Sequence, residues 1–246
     1  MFKLLCVTAH PDDEAGSFGG TLLRYAKQGV ETYIICLTPG QAARNRGAAK
    51  NDAELSALRR EEFQASCRLL QVKQGEVLNF HDGALDREDF YAVVNELVQR
   101  LRTIRPQVVI TMGPEGAVTA HPDHAMAAIF ATAAFHWAGH SNRFINENGA
   151  QPHRAQKLYF STADFSLPGR QPIAPAPISA RIHVREFLPQ RLAAFKLHKT
   201  QSPLFELFEK NIAKRGEYEL FHLAACVIPR AAEQEDDLLA GVTQEI

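Results

Sequence analysis

The chain has few cysteines and no long apolar run, and both shortages limit the classes of protein to which it can belong. Its 246 residues contain no C-x-x-C pair, so the four cysteines argue against a disulfide frame or a zinc knuckle; they are Cys6, Cys36, Cys67 and Cys226. The longest weakly polar stretch, residues 125–139, includes His136 and is too short to span a bilayer. The N-terminal apolar run is too short for a signal peptide. We therefore expect a cytoplasmic protein with reduced thiols and no membrane insertion.

An excess of charge of either sign is also lacking. The formal net charge is −1 at pH 7. Nucleic acid and anionic membranes usually select a basic excess, so we expect neither as a partner. The 46% of hydrophobic and 22% of charged residues are ordinary for a globular protein, and the chain is long enough to bury a large core.

Apolar runs alternate with helical patterns through the first part of the chain. The patterns predict strands at residues 3–8, 30–38, 77–80 and 107–112, with helices at 18–28, 52–70, 86–104 and 121–137. Such alternation favours βαβ crossovers and hence an α/β, Rossmann-like fold, with a mostly parallel sheet and helices on both faces. The first strand is not followed by G-x-G-x-x-G, which argues against a nucleotide-binding module.

The pattern weakens after residue 140. We predict strands at 157–161 and 182–184, helices at 187–199 and 204–215, and an acidic tail from residue 231 that frays. No repeat or domain boundary is evident, so the whole of 1–246 is interpreted as one domain. Its variable C-terminal third, about 140–246, together with loops 39–50 and 167–179, is expected to determine substrate specificity.

Two adjacent acids follow the first predicted strand, in the run His10-Pro11-Asp12-Asp13-Glu14. Ligands of open parallel sheets bind beyond the carboxyl ends of the strands, where this run lies. Neighbouring carboxylates raise each other's pKa unless a cation compensates them. A divalent metal would remove that cost, with one acid as a ligand and the other free to act as a base.

Two histidines follow the fourth predicted strand, in the run His121-Pro122-Asp123-His124. At a spacing of i and i+3 they share one face of a first helical turn, which Pro122 suits. Asp123 is placed to orient a neighbouring imidazole as a hydrogen-bond acceptor. Two histidines, one carboxylate and an open position are typical of catalytic zinc. Either motif alone could be a helix start, and spacing does not decide whether His121 or His124 is the ligand.

The motifs A-H-P-D-D-E and H-P-D-H resemble those of the PIG-L/LmbE-like family of zinc-dependent N-acetylglucosaminyl deacetylases. Weaker motifs of that family occur in the same order between residues 3 and 201: L-T-P-G at 37–40, R-x-x-E at 59–62, D-G at 82–83 and R-P-Q-V-V-I-T-M-G-P-E-G at 105–116. The run H-x-T-Q at 198–201 resembles the family's H-x-S-Q, with Thr200 in place of the serine. The resemblance implies one deacetylase domain, a Zn²⁺ cofactor and an N-acetylglucosamine conjugate as the small-molecule substrate. Relatives often assemble, so a homo-oligomer is also expected.

The resemblance also implies a role for each matching residue. The metal ligands would be His10, Asp13 and His124. Asp12 would be the general base, and His121 would stabilise the oxyanion or protonate the leaving amine. Arg59 would contact the substrate. The role of His198 stays open.

The chain departs from the family at one informative position. Thr119 stands two residues before His121, where some relatives of the thiol pathways carry a Tyr that assists the carbonyl group. This difference argues against the mycothiol enzyme itself. An amidase with the same metal site, acting on a thiol conjugate or another amide, is an alternative. A non-catalytic Rossmann-type binding module is a weaker one, because such a protein would be expected to lose Asp12 or a metal ligand.

Overall fold

A mixed sheet forms the centre of the protein, described here from a computed structural model. The structure describes residues 1–144, 149–167, 169, 173–228 and 234–244. Within these ranges the sheet has seven strands in the order β3-β2-β1-β4-β5-β7-β6. Their bounds are β1 Lys3–Thr8, β2 Glu31–Cys36, β3 Gln74–Val77, β4 Val108–Thr111, β5 Lys157–Thr162, β6 Ala180–His183 and β7 Tyr218–Cys226.

The first five strands run parallel to one another, and β7 pairs antiparallel with both β5 and β6. Strand β1 lies between β2 and β4, with Cys6 beside Ile34 on one side and Ile110 on the other. The predicted α/β class with a mostly parallel sheet is therefore confirmed. Strand β3 is an edge strand that ends at Val77, where the pattern predicted it to begin, because its sequence Q-G-E-V is largely polar.

Six α-helices cover the sheet in the described ranges. They are α1 Asp13–Lys27, α2 Asp52–Leu69, α3 Phe90–Ile104, α4 Pro122–Trp137, α5 Leu188–Lys196 and α6 Phe205–Arg215. Helix α1 begins at Asp13, five residues earlier than predicted, so Asp13 belongs to its first turn. None of these helices combines the length and the apolar composition that crossing a membrane requires, in the residues described.

Two apolar cores lie on opposite faces of the sheet, as expected when helices cover both. One core contains Phe18, Phe63 and Phe195 from α1, α2 and α5. The other contains Val94 of α3 and Phe130 of α4. Alternate residues of β1 enter the two cores, Leu4 the first and Leu5 the second.

The described part of the C-terminal tail packs on the domain, so the expectation that it frays was wrong. Leu238 is fully buried, and its amide donates a hydrogen bond of 2.6 Å to the Tyr25 hydroxyl. That hydroxyl donates in turn to Asp237 Oδ1 at 2.8 Å. The buried Glu235 accepts a hydrogen bond from Lys157 Nζ at 2.6 Å. Charge alone suggested a solvated tail, whereas these acids have partners in the domain.

Replacing Tyr25 with Phe is expected to lower the free energy of unfolding by about 1–3 kcal/mol, because the buried Leu238 amide loses its acceptor. Chemical denaturation of the variant and the wild type measures this difference. Tyr91→Phe is the matched control, since that side chain is 59% exposed. Equal stability of Tyr25→Phe and wild type would show that the tail contributes nothing through this hydroxyl.

Candidate active site

The two histidine motifs meet at the point where the chain leaves β1 and β4 in opposite directions. From β1 the chain crosses to β2, and from β4 it crosses to β5 on the other side. This divergence opens a crevice at the carboxyl ends of the two central strands. The ring centroids of His10 and His124 lie 5.3 Å apart there, and those of His10 and His121 lie 4.8 Å apart. One ring nitrogen from each of the three imidazoles falls within a mutual 4.8 Å.

Asp13 bridges the two motifs. Its Oδ1 lies 3.1 Å from His124 Nε2, and its Oδ2 lies 3.6 Å from His10 Nδ1. Oδ2 also accepts hydrogen bonds from the backbone amides of Ala9 and His10, at 3.2 and 2.8 Å. Burial would raise the pKa of Asp13, but the neighbouring His124 and His10 hold it well below its usual value. Asp13 is therefore an anion whose oxygens are directed at both imidazoles.

Two carboxylates contact the Nε2 nitrogen of His10, the ring nitrogen that does not face Asp13. Asp82 Oδ1 lies 3.0 Å and Asp123 Oδ2 3.1 Å from His10 Nε2. Asp123 is fixed in place by the backbone amides of Gly83 and Leu85. A proton on Nε2 leaves the Nδ1 lone pair directed towards Asp13. The structure thus places Asp123 beside an imidazole, as the sequence predicts, and Asp82 of the D-G motif makes the same contact.

The ring of His124 is oriented by Thr119. Thr119 Oγ1 lies 3.2 Å from His124 Nδ1 and donates to the carbonyl oxygen of Gly116 at 3.3 Å. Because the Thr119 hydroxyl donates its own proton to Gly116, it acts as the acceptor for the Nδ1–H of His124. The lone pair of His124 is then on Nε2, which faces Asp13. The residue that distinguishes this chain from some relatives therefore contacts a candidate metal ligand.

Replacing Thr119 with Val is expected to weaken metal affinity about tenfold, because the Nδ1 proton loses its acceptor and the ring its orientation. Thr119→Ser keeps the hydroxyl and is the matched control. Competition with a chelator of known affinity measures both variants against wild type. Equal affinity of Thr119→Val and Thr119→Ser would exclude this role for the hydroxyl.

His121 caps helix α4 and is held as a neutral imidazole. Its Nδ1 accepts a hydrogen bond of 3.1 Å from the amide of Asp123. Burial, with the nearby His10 and His124, lowers the pKa of His121. Because Nδ1 accepts, the single proton of the neutral ring is on Nε2. His121 can therefore donate one hydrogen bond from Nε2.

Asp12 lies beside these groups in an unusual backbone conformation. Its φ angle is 120°, which residues with a side chain rarely adopt. The Glu14 carboxylate accepts a 2.9 Å hydrogen bond from the Asp12 amide and further hydrogen bonds from Ser66 Oγ at 2.6 Å and His198 Nε2 at 2.7 Å. Glu14 and His198 are both fully buried. His198, whose role was open, thus supports the Asp12 loop through Glu14.

Arg59 is buried beneath Asp12. Its Nη2 donates to Asp12 Oδ2 at 3.0 Å and to the carbonyl oxygen of Pro11, and its Nη1 donates to that of Gly40 at 3.2 Å. Gly40 has a φ of +68°, and a Cβ there would lie 2.2 Å from Arg59 Nη1. Burial raises the pKa of Asp12 to about 6, with Arg59 opposing the rise. These contacts give Arg59 a part in holding the Asp12 loop.

One cavity of about 610 Å³ brings these reacting groups together. Its lining includes residues of α6 and the side chains of His10, Asp12, Asp13, Arg59, Asp82, Thr119, His121 and His124. The volume lies within the range of small-molecule sites. Nitrogen and anionic oxygen donors on a preformed concave surface are a set that fits a divalent metal such as zinc.

Comparison with known proteins identifies the family. Residues 5–135 match the PIG-L family, described as GlcNAc-PI de-N-acetylase. The chain belongs to this family. It is 30% identical over 280 residues to 1D-myo-inositol 2-acetamido-2-deoxy-alpha-D-glucopyranoside deacetylase of Acidothermus cellulolyticus, covering 98% of this chain and 95% of that protein.

Two further known proteins are similar to the chain. The chain is 28% identical to the mycothiol S-conjugate amidase of Streptomyces coelicolor over 180 residues, covering 65% of this chain and 61% of that protein. It also superposes on the crystal structure of a conserved protein from Thermus thermophilus with a TM-score of 0.75 and 28% identity. That match covers 94% of this chain and 98% of the other. The predicted PIG-L/LmbE-like membership is confirmed.

Proposed function

We propose that this chain is a zinc-dependent hydrolase that removes the acetyl group from an N-acetylglucosamine conjugate. The observation that carries the proposal is the convergence of His10, Asp13 and His124 beside the carboxylate of Asp12, all lining one cavity. The membership in a family described as a de-N-acetylase supports the reaction. The name of the Acidothermus cellulolyticus relative supports an acetylated amino sugar as the substrate.

The proposed zinc ligands are His10 through Nδ1, His124 through Nε2 and a carboxylate oxygen of Asp13. Asp82, Asp123 and Thr119 occupy the other nitrogens of the two imidazoles, which is the supporting arrangement that metal-bound histidines usually have. His121 is a rival third ligand, since its ring lies near both others. We favour Asp13, because an anionic oxygen compensates a divalent charge better than a third neutral nitrogen. Zinc in such a site supplies a Lewis acid for the acyl oxygen and lowers the pKa of bound water.

Asp12 would act as the general base. Its carboxylate lines the cavity next to Asp13, and its Oδ2 is held by Arg59 at 3.0 Å. The carboxylate would accept a proton from the attacking water as the new C–O bond forms. The same carboxyl group could then deliver this proton to the departing amine nitrogen, so that acetate and a free amine are released.

His121 would stabilise the negative charge that develops on the acyl oxygen. The hydrogen bond from the Asp123 amide fixes its tautomer, and the remaining Nε2–H is a donor in the lining of the cavity. A donor held in place before the reaction costs no reorganisation when the charge appears. Arg59 is expected to contact substrate, and we also assign it to positioning Asp12 and the loop at Gly40.

Acetate release from N-acetylglucosamine conjugates, measured with and without a chelator, tests the proposal. We expect release that the chelator abolishes and that added zinc restores. Turnover that persists after complete metal removal would contradict the metal dependence. Zinc binding without turnover of any acetylated amino sugar would favour a non-catalytic binding module.

An amidase acting on a thiol conjugate is the second candidate, favoured by the similarity to mycothiol S-conjugate amidase. The two candidates share the metal site and differ in the amide that is broken. Parallel assays of an S-conjugated cysteinyl amide and an N-acetylglucosamine conjugate distinguish them. We expect the larger kcat/KM for the acetyl sugar.

The wider organisation proposed for the chain is one domain over residues 1–246, whose C-terminal third contributes to substrate binding. Helix α6 and Gln201 line the cavity, which supports that contribution. We further propose a cytoplasmic homo-oligomer that does not bind nucleic acid. Size-exclusion chromatography with light scattering measures the oligomeric state.

A further inference from the structure

The lining of the cavity has two chemically different parts. The candidate zinc ligands, Asp12 and His121 form one part. A second wall is formed by the end of α5, the 3₁₀ turn Lys199–Leu204 and α6. The apolar side chains of this wall are Phe195, Leu204, Leu207, Phe208 and Ile212. We refer to these five residues as the apolar wall.

The apolar wall combines a rigid base with an exposed rim. Phe195 and Phe208 stack with ring centroids 3.7 Å apart, and both are largely buried. Leu204 and Leu207 stand above them and are 36% and 47% exposed. Two partly exposed leucines on a wall of the cavity are a surface that favours contact with an apolar group.

The five residues of the apolar wall carry no charge. Among the described residues that line the cavity, the acids are Asp12, Asp13 and Asp82, and the arginines are Arg44 and Arg59. Arg59 is committed to Asp12 and to backbone carbonyls. The polar residues beside the apolar wall in the lining are Gln201 of the 3₁₀ turn and Asn211 of α6. A phosphate or carboxylate placed against the five apolar side chains would lose hydration without gaining a partner from them.

We infer that the substrate carries an apolar aglycone, an alkyl or aryl group on the sugar, that packs against the apolar wall. The inference rests on the proposed function and specifies its substrate class. An acetyl group places only a methyl beyond the scissile carbonyl and needs little space. The rest of the cavity, whose lining includes both the reacting residues and Leu207, is therefore available to the sugar and its aglycone.

Comparison of the methyl and hexyl glycosides of N-acetylglucosamine tests the inference. We expect kcat/KM for acetate release to be on the order of tenfold higher for the hexyl glycoside, because part of the added chain is removed from water. In Leu207→Gln this hexyl-to-methyl ratio is expected to fall to about one-third of its wild-type value or less, since an amide replaces apolar contact. Circular dichroism and the melting temperature confirm that the variant is folded.

Ile129→Gln is the matched control. Ile129 is an aliphatic residue that is 42% exposed on α4 and does not line the cavity. The ratio of kcat/KM for the hexyl glycoside to that for the methyl glycoside should therefore be the same in Ile129→Gln as in wild type. A ratio near one in wild-type protein, or a ratio that Leu207→Gln leaves intact, overturns the inference while the proposed function stands.

A further substrate shows whether the apolar wall binds the aglycone or the acyl group. The methyl glycoside of N-heptanoylglucosamine places the same six-carbon alkyl chain on the acyl side of the amide. Faster cleavage of this compound than of the hexyl glycoside of N-acetylglucosamine would assign the apolar wall to the acyl group and overturn the inference. Release of carboxylic acid from none of the compounds would overturn the proposed function, and with it the substrate class inferred here.

Discussion

Replacing Asp12 with Asn is expected to lower kcat by about 10²–10⁴-fold while the zinc content stays at about one ion per chain. The amide cannot accept the proton of the attacking water. It retains an oxygen that can accept the hydrogen bond from Arg59, whose Nη2 lies 3.0 Å from Asp12 Oδ2. Steady-state kinetics on an acetylated amino sugar, with elemental analysis of the same preparation, measures both quantities.

Asp86→Asn is the matched control for that experiment, because Asp86 is an exposed acid outside the cavity lining. It should leave kcat unchanged. Turnover of Asp12→Asn near the wild-type rate, with zinc retained, would show that Asp12 serves the loop and that the base lies elsewhere. Loss of zinc from Asp12→Asn would instead reopen the choice of Asp13 as the ligand.

Combined replacement of His10 and His124 by Ala is expected to reduce bound zinc from about one ion per chain to less than about one-tenth. The variant removes two of the three proposed ligands and leaves Asp13, which alone cannot hold the ion tightly. Elemental analysis of protein purified without added metal gives the zinc content. Full retention of metal in the double variant would place the binding site elsewhere.

The single variant His121→Asn is the control that separates the two possible ligand sets. His121 lies within reach of the other two imidazoles, so geometry alone permits it as the third ligand. With Asp13 as the ligand, His121→Asn keeps its zinc and loses activity through the missing Nε2 donor. Loss of zinc from His121→Asn would make it a ligand and contradict our assignment.

The first half of the fold was predictable because its strands are buried on both faces. Continuous apolar runs at β1, β2 and β4 alternate with helical patterns, and this arrangement has few topological solutions. The same logic located the site, since motifs that follow parallel strands must meet at one edge of the sheet. Both histidine motifs were found in this way.

The C-terminal strand β7 was missed because one of its buried positions carries a charge. Glu219 is 2% exposed, and its carboxylate accepts from the amides of Gly20 and Thr21 and pairs with Arg191 at 3.1 Å. A pattern of hydrophobic residues assigns such a glutamate to the surface. Its burial depends on Arg191, a partner remote in sequence that periodicity does not reveal.

Residues that support the site were missed for a similar reason. Asp82 and Glu14 gain their roles from contacts with His10 and His198, which become neighbours only in the folded chain. That Arg59 contacts the substrate stays a prediction, since it lines the cavity, whereas its hydrogen bonds to the Asp12 loop and to Gly40 could not be predicted from the sequence. Motifs indicate which residues matter, whereas the distinction between reacting and supporting groups needs distances.

The contact between Glu14 and His198 has a consequence for a chain that is still being synthesised. All three proposed zinc ligands precede residue 125, but the imidazole that supports the Asp12 loop arrives 184 residues after Glu14. A nascent chain can therefore present the ligands long before the loop beside them is supported. Because synthesis proceeds from the N-terminus, catalytic competence would be acquired only after His198 and the cavity-lining residues that follow it have emerged from the ribosome.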